Sequence, residues 1–351
     1  MWKFLGNFMN DLPPLFLARL EKILPFEHYE TVKKTFTTER PLTVRINTLK
    51  TQEENVLEQL RREHMDVTPL PWYRQALMIK NSTARDFAEH ELIKTGQLYI
   101  QSLSSMLPAL VLDPRPGDAV LDLCAAPGSK TTQMAALLKN QGTITAVEPI
   151  RARYYKLRSV VEQLGAQNVH LKMMDGRRFE NIRKFPKKIT QKFQRNKNFS
   201  SPKLFDKILV DAPCSSEGRF KTFHEESFAY WSPRKIKEMV RKQRGLLLNA
   251  SRLLKPGGVL VYSTCTFAPE ENEGVIDWLL KKTPGTIQLI PIEFPEIIRY
   301  SAISAWGKKF FHKDIQNCFR VLPAERMEGF FVAKLVKVFS HQPSVFSQRF
   351  N

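Results

Sequence analysis

Beyond residue 117 the chain alternates short apolar runs of β-forming residues with longer helical stretches, and no other feature of the sequence constrains the fold as much. Such alternation signals a parallel sheet, because parallel neighbours must be joined by a crossover long enough to hold a helix. The expected strands are Ala119 to Leu123, Thr143 to Val147, Val169 to Leu171, Lys207 to Val210, Gly258 to Tyr262 and a late one from Phe330 to Val338. Helices are expected at Ser129 to Leu138, Arg151 to Leu164, Pro233 to Leu254 and Pro269 to Leu280. Pro256-Gly257-Gly258 reads as a turn between the third of these helices and the strand after it. The sequence contains no internal repeat.

The residues ahead of Pro114-Arg115-Pro116-Gly117 have a different character. Leu15, Phe16, Leu20, Ile23 and Leu24 recur at helical spacing, with Pro25 ending the first helix. Leu42 to Ile46 alternates like a strand, Glu53 to Met65 reads as a helix and Ala76 to Ile79 as a returning strand. The expected division is therefore a small α+β, RNA-contacting domain over residues 1–104, an α/β domain over 105–340 and a tail over 341–351.

Hydrophobic residues at 42% and charged residues at 25% exclude global disorder. The unusual quantity is charge: 54 Lys and Arg against 35 acidic residues give +19, which favours a polyanionic partner, with nucleic acid ahead of a membrane surface. Between Arg183 and Lys203 there are eight basic residues and no acidic one, a solvated loop or an arm that touches RNA phosphates. Arg45, Lys235, Arg241 and Lys242 are further candidates for phosphate contacts, although lone surface charges more often merely solvate. Cys124, Cys214, Cys265 and Cys318 form no Cys-x-x-Cys pair, so neither a metal site nor a disulfide framework is expected. No signal-peptide core and no apolar stretch of about 18 to 20 residues appears. The expectation is a cytoplasmic, monomeric protein with reduced thiols.

Leu121 to Thr131 runs from a buried strand through small residues into a helix. The segment Cys124, Ala125, Ala126, Pro127, Gly128, Ser129 and Lys130 lets a ligand approach the backbone, and amides at a helix start favour a carboxylate, with Ser129 as the expected cap. Neither a dinucleotide fingerprint nor a Walker-type loop is present. Glu148, twenty residues beyond Gly128, stands where doubly wound folds set an acid against ribose hydroxyls. Asp175, after the third strand, is placed to accept from an adenine amino group. Each acid alone reads equally well as a surface or capping residue. In order, the three elements describe S-adenosylmethionine.

Cys214, in Asp211-Ala212-Pro213-Cys214-Ser215, follows the fourth strand, and Cys265, in Ser263-Thr264-Cys265-Thr266, follows the fifth. A single cysteine after a strand is more often a small buried hydrophobe, and Cys318 takes that reading. Two such cysteines beside polar residues suit methylation at carbon 5 of cytosine. That carbon is a poor nucleophile until a thiolate adds to carbon 6, and a second group must then remove the proton on carbon 5. A free thiol has a pKa of about 8.5, so a downward shift of two units contributes about 2.7 kcal/mol. Lys130 is the nearest candidate cation, and Asp211 is expected to orient the base through its exocyclic amine or ring nitrogen 3. Spacing does not decide which cysteine attacks.

Leu121 to Thr131, Asp211 to Ser215, Ser263 to Thr266 and Pro269-Glu270-Glu271-Asn272-Glu273 together resemble the NOP/Sun family of RNA cytosine-5 methyltransferases. The similarity is strongest from Gly96 to about Leu280, with echoes at Arg45 to Lys50 and Gly329 to Ala333. It implies a Rossmann-like class I methyltransferase domain, Cys265 as nucleophile and Cys214 in product release. It also implies that Cys124 to Lys130, Glu148, Asp175 and Asp211 line the S-adenosylmethionine pocket, with Arg153 in support. Pro127 to Gln133 looks most like the bacterial branch that acts on small-subunit ribosomal RNA, which makes 16S rRNA the expected substrate and transfer RNA the alternative. Ser216 departs from that pattern, standing where many members have glycine, and the sequence stops soon after its last strand, where that branch commonly carries a further RNA-binding domain. A catalytically idle ribosome-assembly factor is disfavoured by the intact cysteine pair, and adenine amino-group methylation by the lack of an Asn/Asp-Pro-Pro-Tyr motif.

Overall fold

The computed structural model describes residues 11–179 and 204–339. The basic run from Arg183 to Lys203 and the tail over 341–351 lie outside the described residues. Two short helices open the chain, α1 (Pro14–Ile23), ended ahead of Pro25 as expected, and α2 (Tyr29–Lys34). A four-stranded antiparallel sheet follows, built from β1 (Leu42–Ile46), β2 (Val67–Leu70), β3 (Tyr73–Ile79) and β4 (Leu98–Ile100) in the order β2-β3-β1-β4. Helix α3 (Glu53–Arg62) buries Val56 and Leu60 against it. The short helices α4 (Ala84–Phe87) and α5 (Glu91–Lys94) seal one end with Phe87 and Leu92. Every residue of β1 is buried, so the strand is covered on both faces rather than one.

Helix α6 (Leu103–Leu112) leads into the large sheet. Its parallel core is β5 (Ala119–Asp122), β6 (Thr143–Val147), β7 (Val169–Lys172), β8 (Phe205–Asp211) and β9 (Leu254–Thr264), with α7 (Ser129–Leu137), α8 (Arg151–Gln163) and α9 (Pro233–Leu253) as the long crossovers. Pro233 at the first turn and the Ser232 hydroxyl, accepting from Lys235 N at 3.1 Å, start α9. Helix α10 (Glu273–Lys282) begins later than the sequence suggests, because Pro269 to Asn272 is used in turns.

The remaining strands are β10 (Ile287–Ile290), β11 (Arg299–Tyr300), the small hairpin β12 (Ala305–Trp306) and β13 (Lys309–Phe310), β14 (Phe319–Val321) and β15 (Phe330–Lys337). The order is β11-β14-β15-β9-β8-β5-β6-β7, with β10 also on β15. β15 runs antiparallel to β9, pairing Phe331 with Thr264. Pro256-Gly257-Gly258 does not form a separate turn. α9 ends at Leu253, β9 begins at Leu254, and these residues lie within β9 beside a shift in its register with β8, with Gly257 at φ +77°.

Two apolar layers cover the sheet. One packs α9 and α10 against Val210, Tyr262 and Phe331, and the other packs α6, α7 and α8 against Val120, Leu209 and Val261. α1 and α2 join neither the layers nor the small sheet; Phe16, Leu20 and Phe36 pack with Phe220, Phe228 and Phe267 of the large unit. β5 lies between β6 and β8, so the chain reverses direction across the sheet there, and open α/β sheets bind ligands outside the carboxyl ends of strands at such a point.

Candidate active site

A cavity of about 590 Å³ opens at that edge, within the roughly 300–1,000 Å³ of small-molecule sites. Its walls include Cys124 to Pro127, Ser129 and Lys130 after β5, Glu148 after β6, Asp175 after β7, Asp211 and Cys214 after β8, and Cys265 after β9. The expected site residues are thus brought to one place, Gly128 forming the bend between the lining residues. It takes φ +114°, and a Cβ there would come 3.0 Å from Val160 Cγ1, so only glycine turns the loop under α8. Gly128, not Ser129, caps α7; Ser129 is the first helical residue and bonds nothing as a cap, because the left-handed bend must precede the helix.

Glu148 is buried, its Oε1 accepts from Ile150 N at 2.9 Å and its Oε2 lies 3.5 Å from Arg153 Nη1. Arg153 also donates to the carbonyl of Ala126 at 2.8 Å, so it braces the loop. Asp175 accepts from the guanidinium and backbone N of Arg177, which hold its carboxyl below the ordinary range. Gly176 brings the backbone close beneath: a Cβ would lie 2.8 Å from the carbonyl oxygen of Leu123. Asp122, buried at the base of the loop, accepts from Thr131 Oγ1 at 2.8 Å and is pushed up to about 6 by burial. Helix-start amides at one end and two carboxylates at successive strand ends fit an amino-acid carboxylate joined to a nucleoside.

The two thiols meet at the other end. Cys214 Sγ and Cys265 Sγ are 3.4 Å apart, and neither cysteine is in a disulfide. Ser216 Oγ lies 3.7 Å from Cys265 Sγ and 3.9 Å from Cys214 Sγ. The hydrogen bond from Cys214, assisted by Arg219, holds Cys265 below the ordinary thiol range. The same hydrogen bond, together with burial, raises Cys214 well above it. Burial likewise raises Cys124 and Cys318, and Cys318 is a core residue as expected.

Lys130 is not the cation beside the thiols. Its Nζ lies 2.8 Å from Asp211 Oδ2 and donates to Ser105 Oγ at 2.7 Å, because Asp211 and Lys130 face each other across adjacent strand ends. Ser263 Oγ donates to Asp211 Oδ1 at 2.7 Å. Arg219 takes the place expected of Lys130; it lines the cavity with both thiols and was missed because a lone arginine in an aperiodic loop carries no pattern. Its only signal is its position five residues after Cys214. Arg45 is also corrected: it is fully buried, donating to Gln101 Oε1 at 2.9 Å and Thr132 Oγ1 at 3.1 Å, so it joins the small sheet to α7 instead of facing a phosphate. Arg241 is exposed on α9, whereas Lys235 and Lys242 pair with Glu238 at 3.3 and 2.7 Å, and Lys242 reaches the cavity wall.

Among known proteins, residues 109–336 match the family described as 16S rRNA methyltransferase RsmB/F, and residues 12–85 match the ferredoxin-like domain of RsmF/B-like methyltransferases. Ribosomal RNA small subunit methyltransferase F of Cronobacter sakazakii is 37% identical over 316 residues, covering 87% of this chain and 59% of that protein. The Klebsiella pneumoniae protein of the same name is 34% identical over 341 residues, covering 94% and 65%. This chain therefore spans roughly three-fifths of the length of those relatives. A solved methyltransferase homolog protein from Pyrococcus horikoshii superposes with a TM-score of 0.74 at 29% identity, over 93% of this chain and all of that one. The structure of NSun6 from Pyrococcus horikoshii with SFG shares the fold at TM-score 0.73 and 23% identity, over 93% of this chain and 99% of that one. With the family match covering most of the chain and the paired thiols at the strand ends, this chain belongs to the 16S rRNA methyltransferase RsmB/F family.

Proposed function

We propose that this chain transfers a methyl group from S-adenosylmethionine to carbon 5 of a cytosine in 16S ribosomal RNA, using Cys265 as a covalent nucleophile. The observation that carries the proposal is the contact of two free thiols at one end of a cavity whose other end is lined by the loop from Cys124 to Lys130 and the carboxylates of Glu148 and Asp175. The family and the names of the curated relatives support the substrate class. Action on ribosomal RNA agrees with a cytoplasmic protein.

The loop from Cys124 to Lys130 would hold the cofactor's amino-acid end, Glu148 its ribose and Asp175 its adenine. When bound, the cofactor supplies an electrophilic methyl group. Cys265, the thiol held low, adds through Sγ to carbon 6 of the cytosine, and the ring's electrons then make carbon 5 nucleophilic. Asp211, fixed by Lys130 and Ser263, keeps lone pairs for the exocyclic amine and so orients the base. Once Cys265 is bonded to carbon its negative charge is gone, and with it the contact that keeps Cys214 protonated. Cys214 then gives its own proton to solvent and, as the thiolate, removes the proton from carbon 5, while the bond from carbon 6 to Sγ breaks with its electron pair returning to Cys265 and the ring regains its double bond. The cytosine must leave any helical stack, since thiol and methyl donor approach opposite faces of the ring.

The test uses Cys214→Ala and Cys265→Ala proteins with S-adenosylmethionine and, separately, 16S rRNA, small ribosomal subunits and transfer RNA. Cys214→Ala is expected to accumulate a denaturation-resistant adduct with ribosomal RNA, and Cys265→Ala none. Adducts from Cys265→Ala alone would reverse the roles, and adducts with transfer RNA alone would overturn the substrate.

A further inference from the structure

Five cationic side chains line the cavity among the described residues, and four of them are matched by a carboxylate. Lys130 pairs with Asp211 at 2.8 Å, Arg153 with Glu148 at 3.5 Å, Arg177 with Asp175 at 2.5 Å and Lys242 with Glu238 at 2.7 Å. Arg219, at the thiol end, makes no ion pair and no side-chain hydrogen bond among the described residues. Its backbone is pinned: Arg219 N donates to the carbonyl of Ser216 at 2.9 Å, and Gly218 N donates to the carbonyl of Cys265 at 2.9 Å. A Cβ on Gly218 would meet the carbonyl oxygen of Gly329 at 2.2 Å, so this turn is pressed between the Cys265 loop and the start of β15.

Two more cations converge on the same end. Lys221 Nζ donates to the carbonyls of Thr35, at 2.8 Å, and Thr38, which ties the segment after Cys214 to the connection that carries Arg40. Nε and Nη2 of Arg40 are buried with no hydrogen-bond partner among the described residues. The charges act in a chain: burial first and, after the opposing Glu328, Arg219 lower Arg40, and burial first and Arg40 next push Lys221 down to about 8, whereas Arg219 itself is raised, by Cys265 first. Glu328 is the one carboxylate acting on all three. Buried Arg40 donors without acceptors among the described residues, next to Arg219 and Lys221, call for an anion.

We propose that Arg40, Arg219 and Lys221 form a subsite for a backbone phosphate of the RNA strand beside the target cytosine. The inference rests on the RNA-methylation reading, because a base bonded to Cys265 carries its own ribose and flanking phosphates, and these must lie close to that sulfur. The loop from Cys124 to Lys130, Glu148 and Asp175 follow β5, β6 and β7, whereas Cys214, Arg219 and Cys265 follow β8 and β9, so on the proposed reading the cofactor's carboxylate is held by other residues than these. Guanidinium forks match phosphate oxygens in pairs, and a phosphodiester brings the acceptors that Arg40 lacks.

Binding of a 16S rRNA transcript, with S-adenosylhomocysteine present, is measured over a series of salt concentrations for the unsubstituted protein, Arg219→Gln, Arg219→Lys and Arg40→Gln. Each glutamine variant is expected to bind about tenfold more weakly, with the slope of log affinity against log salt shallower by about 0.7, the value for one single-strand phosphate. Arg219→Lys should recover most of that slope, and S-adenosylhomocysteine affinity should not move. Arg219 lies at the cavity wall, so its variants report even if Arg40→Gln does not fold. An unchanged slope in Arg219→Gln overturns the subsite, as does a loss of S-adenosylhomocysteine affinity with the slope intact. Failure of the function reading looks different: the unsubstituted protein binds RNA with a steep salt dependence but transfers no methyl group.

Discussion

The Glu271 carboxyl lies behind the loop that carries Cys214, fully buried, with Oε1 accepting from Ser215 N at 3.0 Å and Gln243 Nε2 at 2.9 Å and Oε2 bonded to the Ser215 hydroxyl. Burial first and the neighbouring Glu217 carboxyl second push it up to about 8. In the unfolded chain a glutamate gives up its proton near pH 4.3, so between there and about 8 the folded state holds a proton that the unfolded state has lost. Rising pH then favours unfolding, by about 1.4 kcal/mol per unit inside that window, and the contribution is complete only below it. Glu271→Gln keeps the shape and the donors without the titration. Urea unfolding at pH 6 and pH 8 should show the unsubstituted protein losing about 2 kcal/mol more stability than the variant across that interval. Equal losses would mean that Glu271 ionises normally.

Arg320 of β14 and Glu273 of α10 are both fully buried and joined twice, Nε to Oε1 at 2.5 Å and Nη2 to Oε2 at 2.6 Å. Arg320 Nη1 also donates to the carbonyl of Phe267 at 3.1 Å and to the Tyr300 hydroxyl at 3.0 Å, so one guanidinium clamps three elements just beyond Cys265. Arg320→Met leaves an uncompensated buried carboxylate and should lower unfolding free energy by about 3–5 kcal/mol in a denaturant titration, whereas the double variant Arg320→Met, Glu273→Gln should recover part of it. A single-variant loss below about 1 kcal/mol would show that Glu273 finds water or another partner. None of this pairing is legible in the sequence. β10 to β14 are two to four residues long, too short to show a period, and their partners are distant in the chain. The inner parallel strands are legible because both faces are covered and they read as apolar runs, and β6 falls on the residues expected, while the edge strand β7 buries no residue fully. The same double coverage explains Arg45: a charged residue in a strand reads as facing water, but β1 is closed on both sides and the guanidinium is taken up by Gln101 and Thr132. Cys214 and Cys265 were legible because the proposed chemistry calls for two thiols at neighbouring strand ends, while Arg219 required the folded loop to place it.

At the scale of the molecule, the opening helices belong energetically to the catalytic end. The Phe16 ring lies 4.9 Å from Phe220, 5.6 Å from Phe36 and 5.7 Å from Trp231, and Trp231 Nε1 donates to the buried Glu217 at 2.8 Å. Glu217 in turn accepts from Thr266 Oγ1 at 2.9 Å and Phe267 N at 3.0 Å, and Arg19 of α1 pairs with Glu270 at 2.7 Å. α1 therefore holds the segment from Ser216 to Trp231, which carries Arg219 and Lys221, against the residues that follow Cys265. The loop from Cys124 to Lys130, Glu148 and Asp175 rest on the sheet and its own helices instead. Phe16→Ala should cost about 3–5 kcal/mol of stability. It should also separate the two halves of the site: S-adenosylhomocysteine affinity by calorimetry stays within about twofold of the unsubstituted protein, while the RNA concentration for half-maximal methyl transfer rises about tenfold, some 1.4 kcal/mol of transition-state stabilisation. A similar loss of S-adenosylhomocysteine affinity alongside the rise in half-maximal RNA concentration would show that α1 supports the whole cavity, and no change in either would show that the aromatic cluster is dispensable for placing Arg219.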